Sequence, residues 1–179
     1  DRKMAKSSRM YKEAYGDETI YITATGNEDY SDVGWVAGKK TILLNVAKTD
    51  DQYIRLPEAT TSNLGLHVQI VIGIAQADAL RIGFVTTTIQ GGAVAVGDTD
   101  EGAGSSLDYA TAIADVGDAF LRLEFDLDTA AKCGGTGGTV LDFWYTGAAN
   151  VVIYKGNLIS EIDNPTLATH FTTATILAA

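Results

Sequence analysis

The residues best suited to nucleophilic chemistry in this sequence are His67, His170 and a single cysteine, Cys133. A catalytic triad needs a histidine base beside a serine or cysteine nucleophile, and the sequence contains no Gly-x-Ser-x-Gly elbow that would present such a serine. His67 lies in a strand-like segment and His170 in the C-terminal tail, so we interpret both as sheet-surface histidines. One cysteine makes neither a disulfide framework nor a metal cluster.

Two segments resemble ligand-binding loops in part. Residues 135–140 begin like a dinucleotide-binding loop, but Val140 stands at the third glycine position and a strand follows where the motif requires a helix. Residues 98–102 (Asp-Thr-Asp-Glu-Gly) begin like a calcium loop that lacks the third ligand and the later glutamate. We therefore predict no cofactor and no dedicated metal site, with a weak structural Ca²⁺ site at residues 98–102 left open.

Carboxylates occur in two close pairs, Asp115 with Asp118 and Asp126 with Asp128. A glycosidase would need two carboxylates facing one cleft. Acidic loops on an acidic protein explain both pairs without catalysis. The sequence therefore predicts no catalytic residues, and an enzyme, such as a hydrolase, is the last of our hypotheses.

Aromatic side chains offer a different chemistry, stacking against sugar rings. The candidates for such a platform are Trp35, Trp144, Tyr145 and Tyr154. Successive residues of a strand point to opposite faces, so Trp144 and Tyr145 cannot both face solvent if one face is core. At most half of the set is expected to be available.

Short runs of β-branched and aromatic residues must position these groups. About nine such runs, separated by Gly and Asx turns, predict an all-β fold, an antiparallel β-sandwich or a barrel. The clearest strand places Leu121, Leu123, Phe125 and Leu127 on one face, against Arg122, Glu124 and Asp126 on the other. Residues 147–150 predict the loop of a hairpin. The alanine-rich residues 108–118 suggest a short helix.

The charge is unevenly placed along the chain. Its formal net charge is −10, yet residues 1–12 carry five basic residues against Asp1, a charge of +4 that leaves −14 for the rest. We predict a basic N-terminal arm, residues 1–18, ahead of one domain, residues 19–179, with a possible C-terminal strand or arm from residue 165. The arm is expected to bind an acidic neighbouring surface, including a second copy, through Arg2, Lys3, Lys6, Arg9 and Lys12.

Two classes of partner are not expected. An acidic body argues against nucleic acid as its ligand. The most apolar stretch, residues 64–80, contains His67, Gln69, Gln76 and Asp78, and so falls short of the roughly 18 apolar residues of a membrane-spanning helix. We predict no nucleic-acid partner and no membrane partner.

Residues 38–73 contain three segments in succession: Gly-Lys-Lys-Thr-Ile-Leu-Leu-Asn from Gly38, Tyr-Ile-Arg-Leu-Pro from Tyr53, and Gly-Leu-His-Val-Gln-Ile-Val-Ile from Gly65. This succession resembles the small β-domains of tailed-phage virion proteins, and the resemblance implies a β-sandwich or a tulip- or jelly-roll-like barrel. Residues 138–156 are similar to the way such domains close, and the resemblance covers about half the chain. No collagen-like or heptad shaft accompanies it, and no catalytic residues transfer with it.

This resemblance implies a virion structural protein. The first hypothesis is a capsid decoration (cement) subunit, a homotrimer on the capsid surface that binds the major capsid protein or another virion protein and stabilises the assembled shell. The alternative is a receptor- or carbohydrate-binding domain of a fibre or spike on the virion tail.

Overall fold

The computed structural model describes residues 17–48, 52–76, 80–98, 107–115, 117–126, 130–160 and 165–176. Within these ranges the chain forms twelve β-strands and two short 3-10 helices, at Thr61–Asn63 and Ala130–Lys132. The strands, in chain order, are β1 (Glu18–Ile22), β2 (Glu28–Asp29), β3 (Gly38–Leu44), β4 (Tyr53–Arg55), β5 (Leu66–Ile72), β6 (Leu80–Gly83), β7 (Thr88–Asp98), β8 (Leu107–Ala114), β9 (Arg122–Phe125), β10 (Val140–Trp144), β11 (Val151–Ser160) and β12 (Phe171–Thr172).

The strands form two sheets that enclose one core. Sheet A has the order β1-β3-β5-β10-β11-β7-β8, and sheet B has the order β12-β9-β6-β4-β2. Both sheets contribute fully buried side chains to the same cluster, among them Ile70 and Phe143 from sheet A and Ile82 and Phe125 from sheet B. Burying such a side chain stabilises the fold by roughly 1.5–3 kcal/mol. The all-β, sandwich-like fold class predicted from the sequence is confirmed.

The sheets are mixed, which corrects the expectation of a purely antiparallel sandwich. From β1 to β7 the chain alternates between the sheets, with odd-numbered strands in sheet A and even-numbered strands in sheet B. As a result β1, β3 and β5 run parallel to one another, and so do β2, β4 and β6. Parallel neighbours need a crossover between them, and here a strand of the opposite sheet serves as that crossover. The first half of the fold is therefore a flattened coil.

The second half of the chain closes this coil with antiparallel pairs. Strand β10 pairs with β5, and β9 pairs with β6. The predicted hairpin across residues 147–150 is confirmed, because β10 and β11 pair antiparallel on either side of it. Strand β11 then runs parallel to β7, and β8 completes the sheet edge.

The helix suggested for residues 108–118 is wrong, because Leu107–Ala114 is strand β8. Strand β8 pairs with β7 over its whole length, and its buried Ala110 and Ala114 lie opposite Ala95 and Gly91. Small side chains let the strand approach the core closely, and this packing overrides the helical preference of alanine.

The amphipathic strand is confirmed over a shorter length, because β9 spans only Arg122–Phe125. Leu123 and Phe125 are fully buried, as predicted, while Leu121 is half-buried and Leu127 lies outside the described residues. Glu124 faces away from that core but is itself buried, beneath Arg122 and Lys132. The predicted C-terminal strand is reduced to β12, which pairs with β9.

The predicted N-terminal arm falls mostly outside the described residues, which begin at residue 17. Glu18, which we placed in the arm, is instead the first residue of β1 and pairs with Lys40 of β3. The edge of sheet A therefore begins one residue earlier than the sequence indicated.

Candidate functional site

The four aromatic candidates for a sugar platform separate into two kinds. Tyr145 and Tyr154 are buried in the core at 2% and 1% exposure, so they are unavailable to a ligand. Trp144 is half-buried on the outer face of sheet A, and Trp35 is half-buried in the loop between β2 and β3. The proposed single platform is therefore not assembled, and each tryptophan belongs to its own surroundings.

The outer face of sheet A is the first candidate interaction surface. Alternate burial along its strands assigns every second residue to this face. The described side chains of the outer face are Thr19, Tyr21, Lys39, Thr41, Leu43, His67, Gln69, Val71, Thr88, Gln90, Gly92, Val94, Val96, Thr111, Ile113, Val140, Asp142, Trp144, Val151, Ile153, Lys155, Asn157 and Ile159.

This face mixes apolar with uncharged polar side chains and is poor in charge. Tyr21 is 66% exposed and Ile113 70% exposed, and Val94, Ile153 and Ile159 are also exposed. The outer face as defined carries two lysines against one aspartate, a formal charge of +1 on a chain of −10. Five exposed apolar side chains on one sheet face mark it as a candidate surface for binding a partner.

A depression of about 450 Å³ indents this face near β8. It lies around Gly92, with Ile113 on one side and Ile153 on another. Gly92 pairs with Lys155 of β11 on one side and Ile113 of β8 on the other, and it has no side chain to fill the space between them. A Cβ at Gly92 would lie 2.9 Å from the carbonyl oxygen of Ala112. The face therefore presents both an apolar knob, Ile113, and a hollow beside it.

A polar cluster occupies the middle of the outer face. The His67 Nε2 lies 2.7 Å from Asp142 Oδ1, and the Gln69 side-chain amide donates to the same oxygen at 3.0 Å. The imidazole of His67 stacks on Trp144, with ring centroids 5.0 Å apart and planes 13° apart. Strand pairing produces this cluster, because Trp144 lies opposite His67 and Asp142 opposite Gln69. The cluster fixes the orientation of Trp144 and covers one face of its indole.

The second candidate surface lies beside Trp35. A cleft of about 380 Å³ is lined by Trp35, Tyr30, Ile20, Glu18 and Lys40. An adjoining cleft of about 270 Å³ also includes Trp35 in its lining. The second cleft is completed by polar and small residues: Pro57, Glu58, Thr60, Ser62 and Asn63. Trp35 and its neighbour Gly34 thus border both clefts.

The carboxylates in these clefts are engaged by the protein itself. Glu58 accepts hydrogen bonds from the backbone amides of Val85, Thr86 and Thr87 and from both threonine hydroxyls. Partial burial acts to raise the pKa of Glu58, but these hydrogen bonds outweigh it and hold the pKa below its usual value. Glu18 pairs with the ammonium of Lys40 at 3.2 Å. The arrangement around Glu58 is the opposite of the raised-pKa general acid of a glycosidase.

His170 is the residue whose position the sequence interpretation missed. It is fully buried, so its assignment to a sheet surface is wrong. Phe125, Tyr154 and Phe171 surround its ring, and burial lowers the pKa of His170 to about 3. His67, by contrast, is the sheet-surface histidine that we predicted.

Cys133 is also buried, and burial raises the pKa of its thiol, which disfavours the reactive thiolate. The pair Asp115 and Asp118 forms a turn on the surface, where the Asp118 carboxylate accepts a hydrogen bond from the backbone amide of Asp115. Asp126 is described, but Asp128 lies outside the described residues. Of these groups, Asp115 alone borders a candidate surface, at the rim of the depression beside Ile113.

Two further predicted sites lie outside the described part of the chain. These are the basic cluster Arg2, Lys3, Lys6, Arg9 and Lys12 and, from residue 99 onwards, the candidate calcium loop 98–102. Among the residues that the structure does describe, no three His, Cys, Asp or Glu side chains group as metal ligands would. The described ranges also hold no helix with the length and apolarity to span a bilayer.

Comparison of the chain with protein-family models, with curated proteins and with solved structures found no match in any of the three. The resemblance to tailed-phage virion domains therefore stays a prediction from the sequence. The two surfaces described above are the basis on which a function is proposed.

Proposed function

We propose that this chain is a non-enzymatic structural subunit that assembles through the outer face of sheet A, as a homotrimeric capsid decoration protein of a tailed phage. The observation that carries the proposal is the low charge of that face on an otherwise acidic protein. Cores of protein–protein interfaces are depleted of charged residues and rich in aromatic and apolar ones. The outer face has that composition, with Tyr21, Trp144 and Ile113 among its members.

The occupant of the outer face is a neighbouring copy of the same chain. With +1 on the outer face, the remaining sequence carries −11. Copies that meet through their acidic surfaces repel, whereas the outer face of one copy meets the acidic surface of the next without that cost. A head-to-tail contact forms a closed ring when the rotation between copies closes, and a trimer is the small ring that the resemblance implies.

The buried and engaged state of the reactive groups supports a role without catalysis. Cys133 and His170 are both inside the core. The Glu58 carboxylate is saturated by hydrogen bonds, and the Asp142 carboxylate holds His67 and Gln69. These polar groups stabilise the fold, so binding is the activity that the described surfaces offer.

A trimer of this kind acts on a capsid by mass action. It binds the assembled shell and not the dissociated shell subunits, so it shifts the equilibrium towards the intact particle. The major capsid protein is the partner that the resemblance implies, and the capsid surface is the location.

The oligomeric state of the purified full chain tests the assembly step. Sedimentation velocity across a range of protein concentrations should show a trimer. Ile113→Asp should dissociate it, because a carboxylate would be buried where the apolar knob packs. Leu64→Asp is the matched control, since Leu64 is 58% exposed, lies outside the outer face, and receives the same charge. A wild-type monomer, or equal effects of the two variants, would contradict the proposed interface.

The location on a particle tests the decoration step. Purified virions from the native source should contain the chain in hundreds of copies spread over the shell, as counted by quantitative mass spectrometry and imaged by electron microscopy. A few copies at a tail tip would favour the fibre or spike alternative. Absence from the particle would overturn both virion roles.

A further inference from the structure

Trp35 is held in place by a chain of contacts that reaches into the core. Its indole stacks on Tyr30, with ring centroids 5.1 Å apart and planes 20° apart. Burial and the neighbouring Glu28 carboxylate, which also hydrogen-bonds the phenol, raise the pKa of Tyr30 to about 12. Glu28 in turn pairs with the buried ammonium of Lys48 at 3.3 Å. A surface aromatic that is supported in this way is preorganised for a ligand.

Lys48 anchors this support to the backbone. Its ammonium donates to the carbonyl oxygens of Gly26 at 2.6 Å and Ala24 at 3.3 Å, and its backbone amide donates to the buried side chain of Gln76. The loop that carries Tyr30 and Trp35 is therefore fastened at a point inside the protein. Burying a lysine is costly unless its ammonium is fully paired. The two carbonyl oxygens and the Glu28 carboxylate pair the Lys48 ammonium, and these contacts fix the geometry of the loop.

The charged groups that border the two clefts are already engaged by the protein itself. The Lys40 ammonium, only 1% exposed as a residue, pairs with Glu18. The Glu58 carboxylate is occupied by hydrogen bonds from residues 85–87. The Lys40 ammonium is paired and the Glu58 carboxylate is negative, so an anionic ligand would lose its hydration in either cleft without gaining a counter-ion.

Hydroxyl groups provide the remaining polar contacts. Thr60 caps the 3-10 helix at Thr61–Asn63, and Thr60 and Ser62 are both exposed at the rim of the second cleft. Asn63 is engaged inside the loop, where it accepts from the Thr60 amide and donates to the Glu58 carbonyl. The rim is thus a fixed backbone turn that carries exposed hydroxyls beside an indole.

We propose that the paired clefts at Trp35 bind an uncharged oligosaccharide. Pyranose rings combine an apolar C–H face, which packs on an aromatic ring, with hydroxyls that exchange hydrogen bonds with neutral polar groups. The clefts supply both features, and their one net charge, the Glu58 carboxylate, is already saturated by hydrogen bonds from the protein. The first cleft alone, at about 380 Å³, reaches the range of roughly 300–1,000 Å³ that small-molecule sites occupy, and the second extends it along the indole.

This site is separate from the proposed assembly surface. Trp35 and Tyr30 belong to the loop between β2 and β3, and their clefts share no residue with the outer face of sheet A. Trp144 is not a second stacking platform, because His67 covers its ring. Glycan binding thus adds to the structural role, and each can fail without the other.

The chain contains two tryptophans, which makes the test direct. In a Trp144→Phe variant, tryptophan fluorescence reports on Trp35 alone. We would titrate that variant with four uncharged hexasaccharides, maltohexaose, cellohexaose, laminarihexaose and mannohexaose, and with the charged hexagalacturonate. A saturable change is expected with at least one uncharged glycan, and a weaker one or none with hexagalacturonate.

Calorimetric titration of the wild type with the same glycans provides the second readout. Trp35→Ala should weaken binding by about tenfold or more, because a central tryptophan carries much of the energy of such contacts. Trp35→Phe, which keeps an aromatic face, should retain part of the affinity. Circular dichroism and sedimentation would show whether fold and oligomeric state are unchanged.

Three results would overturn the site: no saturable binding of any of the four uncharged glycans, equal binding by wild type and Trp35→Ala, or preferential binding of hexagalacturonate. A monomeric wild type that still binds a glycan would contradict the assembly proposal and leave this one standing. A trimer that binds none would do the reverse.

Discussion

The Tyr154 hydroxyl lies 3.0 Å from the His170 Nε2, and both side chains are buried at the centre of the sandwich. This contact joins β11 of sheet A to the C-terminal segment, whose backbone is in turn held to β9 by the amide of Glu124 donating to the His170 carbonyl. Burial lowers the pKa of His170 to about 3, so the imidazole is neutral in the folded protein at neutral pH.

Protonation of His170 should make the fold sensitive to acid. The pKa of His170 is about 3 in the folded protein and 6.5 as its ordinary value, so between these values the unfolded chain binds more protons. Stability is fully present above pH 6.5 and falls as the pH drops below it. Urea unfolding at pH 7.5 and pH 5.0 should differ by about 2 kcal/mol from this group alone.

The two histidines provide the control for that measurement. His170→Phe should remove the slope between pH 7.5 and pH 5.0, whatever its effect on absolute stability. His67→Gln, on the outer face, should retain it. If the slope survives in His170→Phe and disappears in His67→Gln, the pH dependence belongs to His67 and the prediction is wrong.

Gly156 should not tolerate a side chain, because a Cβ there would lie 2.2 Å from the Tyr154 hydroxyl oxygen. Gly156→Ala is expected to cost about 1–3 kcal/mol of unfolding free energy through overpacking. The same substitution in a Tyr154→Phe background should cost less, since the nearest clashing atom is gone. Equal costs in the two backgrounds would show that the Tyr154 hydroxyl is not the reason why residue 156 must be glycine.

Glu58→Gln should destabilise the turn formed by residues 85–87. The amide of glutamine keeps one acceptor oxygen and turns a donor towards backbone N–H groups, so we expect a loss of about 1–3 kcal/mol. The comparison is Asp29→Asn, which weakens the surface ion pair with Arg55 and should cost less than about 1 kcal/mol. Thermal unfolding of both variants at pH 7 would reveal the difference, and identical melting temperatures would contradict it.

Removal of residues 1–12 should weaken assembly and reduce its dependence on salt. Those residues carry +4, and attraction between exposed charges is screened beyond about 8–10 Å at physiological ionic strength. Sedimentation of the truncated and full chains at low and high salt measures both effects. If truncation leaves affinity and salt dependence unchanged, the arm has no part in the contact.

The sequence predicted the strands better than their arrangement. Alternation in residues 66–72 shows which side chains of β5 are buried, but it does not show which strands lie beside β5. The coil of β1 to β6 therefore could not be inferred, because each of its parallel pairs depends on an intervening strand in the other sheet. Strand β8 was missed for a related reason: alanine and glycine on β7 opposite it, and not its own propensity, make a strand favourable there.

The candidate sites show the same limit. Trp35 stands out in the sequence as a residue type. Its fixed position as a ligand platform depends on Tyr30, Glu28 and Lys48, which only the folded loop brings together. His170 was misplaced because the burial of the C-terminal segment follows from β12 pairing with β9, and two residues of strand leave little periodicity to detect. Local pattern identifies the side chains, and long-range pairing decides what they contact.

The alternating path of the chain also sets the order in which the protein can fold. Within the coil, Ile42 of β3 pairs with Ile70 of β5. The other edge of β5 pairs only when β10 has been added, where Ile70 lies opposite Leu141, and β7 likewise pairs with the later strand β11. Pairings that close long stretches of chain form slowly. Until β10 arrives, the inner edge of β5 is an open strand edge of apolar residues, a template for pairing with other chains. Newly made chains at high concentration should therefore aggregate through β5, and refolding yield should fall with concentration well before the stability of the finished fold becomes limiting.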